Sequence, residues 1–179
     1  MRHKHFFILI FILCCHFATS AQQVAKPFPQ HTRYFSGTIK PSHISQAKLD
    51  NTVHDFYAQW KNRYIKNVPG KSQSYVWFEG KGGKQCVSEG QGYGMVITAL
   101  MAGKDNKAKA IYDNLYRYYR AHPGIRNKYL MAWAQKTDGT DLDRSSASDG
   151  DIDIAFSLLL ASKQWGDKGG INYLQAAKL

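Results

Sequence analysis

From Ser45 to Lys66 the apolar residues Leu49, Val53, Phe56, Trp60 and Tyr64 recur at intervals of four, three, four and four, the stripe of one helix face. Pro69-Gly70 ends this helix, and Gly80, Gly82 and Gly83 mark the next stretch as a loop. A second helical run covers Glu89 to Met101, with Ser88 as a candidate cap and Gly90, Gly92 and Gly94 early in it. Three glycines are costly in an exposed helix, so they point to a backbone that packs closely against something. Asp105 to Ala121 predicts a third helix with Ile111, Leu115 and Tyr118 on one face, ended by His122-Pro123-Gly124. Tyr129, Leu130, Met131 and Trp133 predict a short fourth helix over 127–135. A polar loop, Thr137 to Ser146, leads to a fifth that begins near Ser148 or Asp149, runs through Ile152 to Ala161, and stops at Gly166 and Gly169-Gly170. Ile171 to Leu179 starts a sixth.

No alternating pattern of useful length competes, so the chain reads as all-α. Successive helices joined by loops of about four to fifteen residues imply antiparallel neighbours, a condition that a plain bundle and a helical toroid both meet. The last helix has neither a closing cap nor a partner, which reads as an incomplete domain.

The amino terminus carries a different signal. Arg2 and Lys4 precede an uncharged run from Phe6 to Cys15, and the small residues Ala18, Thr19, Ser20 and Ala21 follow. This is the pattern of a signal peptide cleaved after Ala21, and its apolar run is too short to span a bilayer. The division expected is a signal peptide at 1–21, an extended lead-in at 22–43 with Pro27, Pro29 and Pro41, and a helical domain at 44–179. Export is therefore expected, to the periplasm or beyond the cell. Cleavage removes Cys14 and Cys15 and leaves Cys86 without an internal disulfide partner. The formal charge of +11 falls to +9 without Arg2 and Lys4. The remaining cations are scattered and form no aromatic-interleaved stripe, which argues against nucleic acid as a partner.

Two acidic places stand out. Glu89 lies in Ser88-Glu-Gly-Gln-Gly-Tyr93-Gly94, among glycines and polar groups. Asp149, Asp151 and Asp153 alternate at the start of the apolar fifth helix, where Asp149 is also a candidate N-cap. The aspartate spacing resembles the opening of a calcium loop, but Ile154 stands where the turn glycine belongs and the bidentate glutamate is missing. His31, His43, His54 and His122 lack zinc-ligand spacing, so no metal and no cofactor is expected. Gly80-Lys-Gly-Gly-Lys84 reads only as a flexible basic loop. Paired carboxylates on separate elements fit glycosidic bond hydrolysis, in which an acid protonates the leaving oxygen and a second carboxylate activates water or attacks carbon.

Ser88-Glu-Gly-Gln-Gly-Tyr-Gly-Met95 and Ala147-Ser-Asp-Gly-Asp-Ile-Asp-Ile-Ala155, followed by Leu158 to Gly166, resemble glycoside hydrolase family 8. Leu130-Met-Ala-Trp133 and Ile171-Asn-Tyr173 are similar to it as well, and the likeness extends over most of 45–179. The resemblance implies part of an (α/α)6 barrel, about six of its twelve helices. It also implies inverting hydrolysis of internal β-1,4 bonds in a polysaccharide, β-glucan or xylan. By the same resemblance Glu89 is the general acid and Asp149 positions the sugar at the central subsite. Trp133, Asp151 and Tyr93 are expected to contact substrate. The family's catalytic base belongs to the later half of the barrel and is not expected within this chain. A non-catalytic, carbohydrate-binding remnant is the alternative.

Overall fold

The computed structural model describes residues 35–179 together with Ala25 and Phe28. The expected signal peptide lies outside the described residues. Helix α1 spans Gln46–Tyr64, capped by the Ser45 hydroxyl, which accepts from the Lys48 amide. A short hairpin follows, strand β1 (Ile65–Asn67) antiparallel to β2 (Ser74–Val76), with Gly70 at positive φ in its turn. Strand β3 (Lys84–Val87) leads directly into helix α2 (Ser88–Leu100). Helix α3 (Ala108–Ala121) precedes strands β4 (Ala134–Lys136) and β5 (Asp141–Asp143). These last two strands complete an antiparallel sheet in the order β3-β4-β5. Helix α4 (Ser148–Trp165) ends at Gly166, whose φ of 71° only glycine adopts readily, and α5 (Tyr173–Ala177) is capped by the Asn172 side chain. The helices pack as part of an (α/α) barrel, and the small sheets sit where α1, α2 and α4 are joined to the loops.

Three expectations fail, two of them in the loops and one in α1. Residues 127–135 form no helix. The Ala132 amide donates to the His122 carbonyl, the Trp133 amide to Ser145, and the Trp133 carbonyl accepts from Ser88, so the backbone bonds go to flanking segments. The strands among the described residues are three or four residues long, too short for alternation to show in sequence. In α1 the inward face is also rotated from the expected stripe. Tyr57 is buried, whereas Phe56 is 73% exposed. The Tyr57 hydroxyl is drawn inward by Asp105, which Lys61 also pairs.

The core lies between α2, α3 and α4. Met95, Ala99, Leu115, Leu158 and Ala161 fill it, and Tyr112 packs against Trp165 and edge-on to Tyr173. Tyr112 retains a partner for its hydroxyl in Ser157, 3.0 Å away. Cys86 is fully buried, and burial pushes its thiol well above the ordinary range, so it packs as a small apolar group.

Helix α2 is held on two sides by missing side chains. A β-carbon on Gly92 would lie 2.8 Å from that of Asp153, and one on Gly94 would lie 2.3 Å from a Val76 methyl. Across the contact, a β-carbon on Gly150 would meet the Glu89 amide nitrogen and the Ser88 carbonyl carbon at 2.9 Å. Backbone lies against backbone where α2 and α4 begin. Between them and the hairpin sits Gln91, fully buried. Its oxygen accepts from the Val76 amide, and its amide nitrogen donates to the Ser74 and Leu115 carbonyls. Gly150→Ala forces two backbones apart and is expected to cost about 1–3 kcal/mol. Urea denaturation checks this, and a midpoint equal to wild type would contradict the close crossing.

Candidate active site

The crossing places two acidic helix starts side by side. Glu89 occupies the first turn of α2, and Asp149 and Asp151 the first turn of α4. Both N-cap positions, Val87 and Ala147, lack a side-chain cap, so each carboxylate stands at a helix end of positive potential.

Both oxygens of Glu89 are engaged. Trp133 Nε1 donates to Oε1 at 3.0 Å, and the Ser88 hydroxyl reaches Oε2 at 3.2 Å. An indole N–H can only donate, so Oε1 is always an acceptor and a proton carried by Glu89 belongs on Oε2. The non-helical backbone before β4, bent at Trp133, makes this contact possible, because it turns Trp133 toward Glu89 while Met131, Ala132 and Ala134 stay buried. A groove of about 280 Å³ opens here, lined by Phe78, Lys84, Val87, Glu89, Tyr93 and Trp133. Tyr93, one turn beyond Glu89, is more than half exposed, and Phe78 is partly so. The groove thus combines a held carboxyl with exposed aromatic faces of the kind that stack on sugar rings.

Asp151 faces the protein more than the solvent. Its carboxylate accepts from the Met131 amide at 3.1 Å, two residues before Trp133, and so ties α4 to the segment that carries the indole. Burial pushes its pKa above the ordinary value. The Met131 and Ser146 hydrogen bonds pull it down, while Asp149 and Glu89 add repulsion that raises it further. Asp149 is exposed, accepts only from the neighbouring Gly150 amide among the described residues, and does not cap α4. The structure therefore groups Glu89, Trp133 and Tyr93 on one groove and sets Asp149 and Asp151 beside it. Among the described residues, no cluster of three or more His, Cys, Asp or Glu side chains is placed to hold a metal ion. No helix among them is long and apolar enough to cross a membrane.

A larger recess, about 620 Å³, is lined by residues including Asp105, Lys109, Asp113 and Trp165. Its acids are spoken for: Asp105 by Lys61 and Tyr57, Asp113 by Lys109 and Tyr173. Sequence reasoning missed Phe78, Lys84 and Gln91. The first two sit at the edges of a glycine-rich loop with no periodicity, and Gln91 looked like one more polar residue of its motif.

The profile of the glycosyl hydrolases family 8 matches residues 26–179. The chain belongs to this family. It is 50% identical over 154 residues to a beta-glucanase of Niallia circulans, covering 86% of this chain and 37% of that protein. An endoglucanase of Bacillus sp. strain KSM-330 is 48% identical over 163 residues, covering 86% and 35%. The apo structure of a beta-1,3-1,4-glucanase from Paenibacillus sp. X4 superposes with a TM-score of 0.80 at 51% identity, over 87% of this chain and 40% of that one. The chain spans little more than a third of the length of the curated relatives it matches.

Glu89 and Asp151 are electrostatically linked, which has a measurable consequence. Because the folded pKa of Asp151 is raised above 3.8, the folded state binds more protons than the unfolded state between those two values. Its contribution to stability therefore declines as pH rises through that window. Asp151→Asn keeps an acceptor for the Met131 amide and removes the charge. Thermal melts across the acid range should show the variant gaining on wild type as pH rises, whereas a pH-independent gap would contradict the assignment.

Proposed function

We propose that this family 8 chain serves an inverting, endo-acting glycoside hydrolase that cleaves internal β-1,4 bonds of a polysaccharide, β-glucan foremost and xylan second. One observation carries the reading: Glu89 is held by Trp133 and Ser88 at the floor of a groove with exposed aromatic walls. Glucanase names among the relatives support the substrate class.

In this reading Glu89 protonates the glycosidic oxygen as its bond to the anomeric carbon breaks. A water, activated by a carboxylate on the opposite face, attacks that carbon and inverts it. Such a pair stands roughly 6.5–9.5 Å apart to admit the water. Asp151 is committed to the Met131 amide and is not that base. Instead it fixes the segment bearing Trp133, while Asp149 positions the central sugar and Tyr93 and Trp133 stack on neighbouring rings. The basic residues and apolar run at the amino terminus support export as the route to polymeric substrate.

The groove's aromatic walls also suit binding without turnover, and one experiment separates the two. Glu89→Gln should lower reducing-sugar release from β-glucan by about 10³-fold, within the usual range for a lost general acid. Its affinity for cello-oligosaccharides should stay within a few-fold of wild type. Full turnover by the variant would remove Glu89 from the acid role. Binding without turnover by the wild-type protein would favour the non-catalytic reading.

A further inference from the structure

Lys84 is the last residue of the glycine-rich basic loop and the first of β3. Among the described residues it forms no ion pair, although it lines the groove with Glu89. Its ammonium lies over the Trp133 ring and close to Gly82, which leaves room for it by lacking a side chain. Nζ lies 5.2 Å from the ring centroid of Trp133, and a β-carbon on Gly82 would stand 3.1 Å from it. An aromatic face attracts a cation but does not neutralise it.

A second cation stands with it. Lys84 on β3 is paired directly opposite Lys136 on β4, and directly opposed residues project from the same face of a sheet. Like charges in such a pair disfavour the sheet. This fold keeps both, and the one beside the catalytic carboxyl is anchored to the same indole that holds Glu89. Positive charge is thus built into the wall against which a sugar chain would lie.

We propose that Lys84 is a specificity-determining residue of this groove, excluding polycationic amino-sugar chains and leaving it to neutral β-glycans. The proposal rests on the carbohydrate reading given above. A protonated glucosamine unit beside Trp133 places a cation against the Lys84 ammonium, and at such short range salt screens the repulsion only in part. A glucose or xylose unit carries no such charge. The sugar face and the cation share one indole, so the discrimination acts at the rings nearest the bond that is cleaved.

The test compares binding of cellohexaose and of the fully deacetylated glucosamine hexamer by calorimetry, at a pH where the amines are protonated. Wild-type protein should favour cellohexaose by at least about tenfold, equivalent to ~1.4 kcal/mol. Lys84→Met should narrow that ratio severalfold, Lys84→Glu should narrow it further, and Lys84→Arg should retain it. Added salt should shrink the wild-type ratio toward that of Lys84→Met. A ratio equal in wild type, Lys84→Met and Lys84→Glu overturns the role of Lys84 while leaving the carbohydrate reading intact. Binding of neither hexamer by the wild-type protein overturns both.

Discussion

Everything in the site depends on how closely the first turns of α2 and α4 approach. Gly92 and Gly150 leave no side chain between them, and on its far side α2 meets the hairpin at Gly94 with the same economy. Ordinary helices keep their axes 8–10 Å apart through their side chains. With those side chains removed at the crossing, the residues next along the chain, Glu89, Asp149 and Asp151, are brought together at the ends of two helices. Carboxylates so close repel one another: burial is the main cause that raises the pKa of Asp151, and Asp149 and Glu89 add to it. The helix ends, the Trp133 indole and the Met131 amide offset that repulsion.

The loop before β4 is the second determinant. Its apolar residues could have made a helix, and the same composition in a non-helical course does two jobs at once. Met131, Ala132 and Ala134 go inward, while the indole between them turns to the groove. Asp151 holds the start of this stretch and Glu89 receives its indole. Glu89 and the indole bonded to it are therefore linked through a second carboxylate, Asp151, on another helix.

The long helices were legible because their stripes are long. The spans expected for α2, α3 and α4 differ from those observed by a few residues at most, and Gly166 stops α4 as its position suggested. The clustered early glycines of α2 correctly announced a close backbone contact. The illegible parts were short. A run such as Tyr129 to Trp133 satisfies helix and strand patterns equally, and only its hydrogen-bond partners at His122, Ser145 and Ser88 decide between them. Those partners lie far along the chain. Tyr57 displaced Phe56 for a related reason, since one buried carboxylate, Asp105, outweighed the apolar stripe. Lys84 was visible as a letter but not as a neighbour, because nothing local tells a lysine beside a glycine-rich loop that a tryptophan from the segment before β4 faces it.

Gln91 gives the site a property of a different kind. A three-residue strand should fray freely, yet the Val76 amide in β2 is bonded to a side chain that also grips the Ser74 and Leu115 carbonyls. No part of this junction can open without stranding a buried amide, so hairpin, α2 and α3 open as one cooperative unit or not at all. The floor beneath Glu89 therefore keeps time with the core, and breathing of the groove is left to the loops around it.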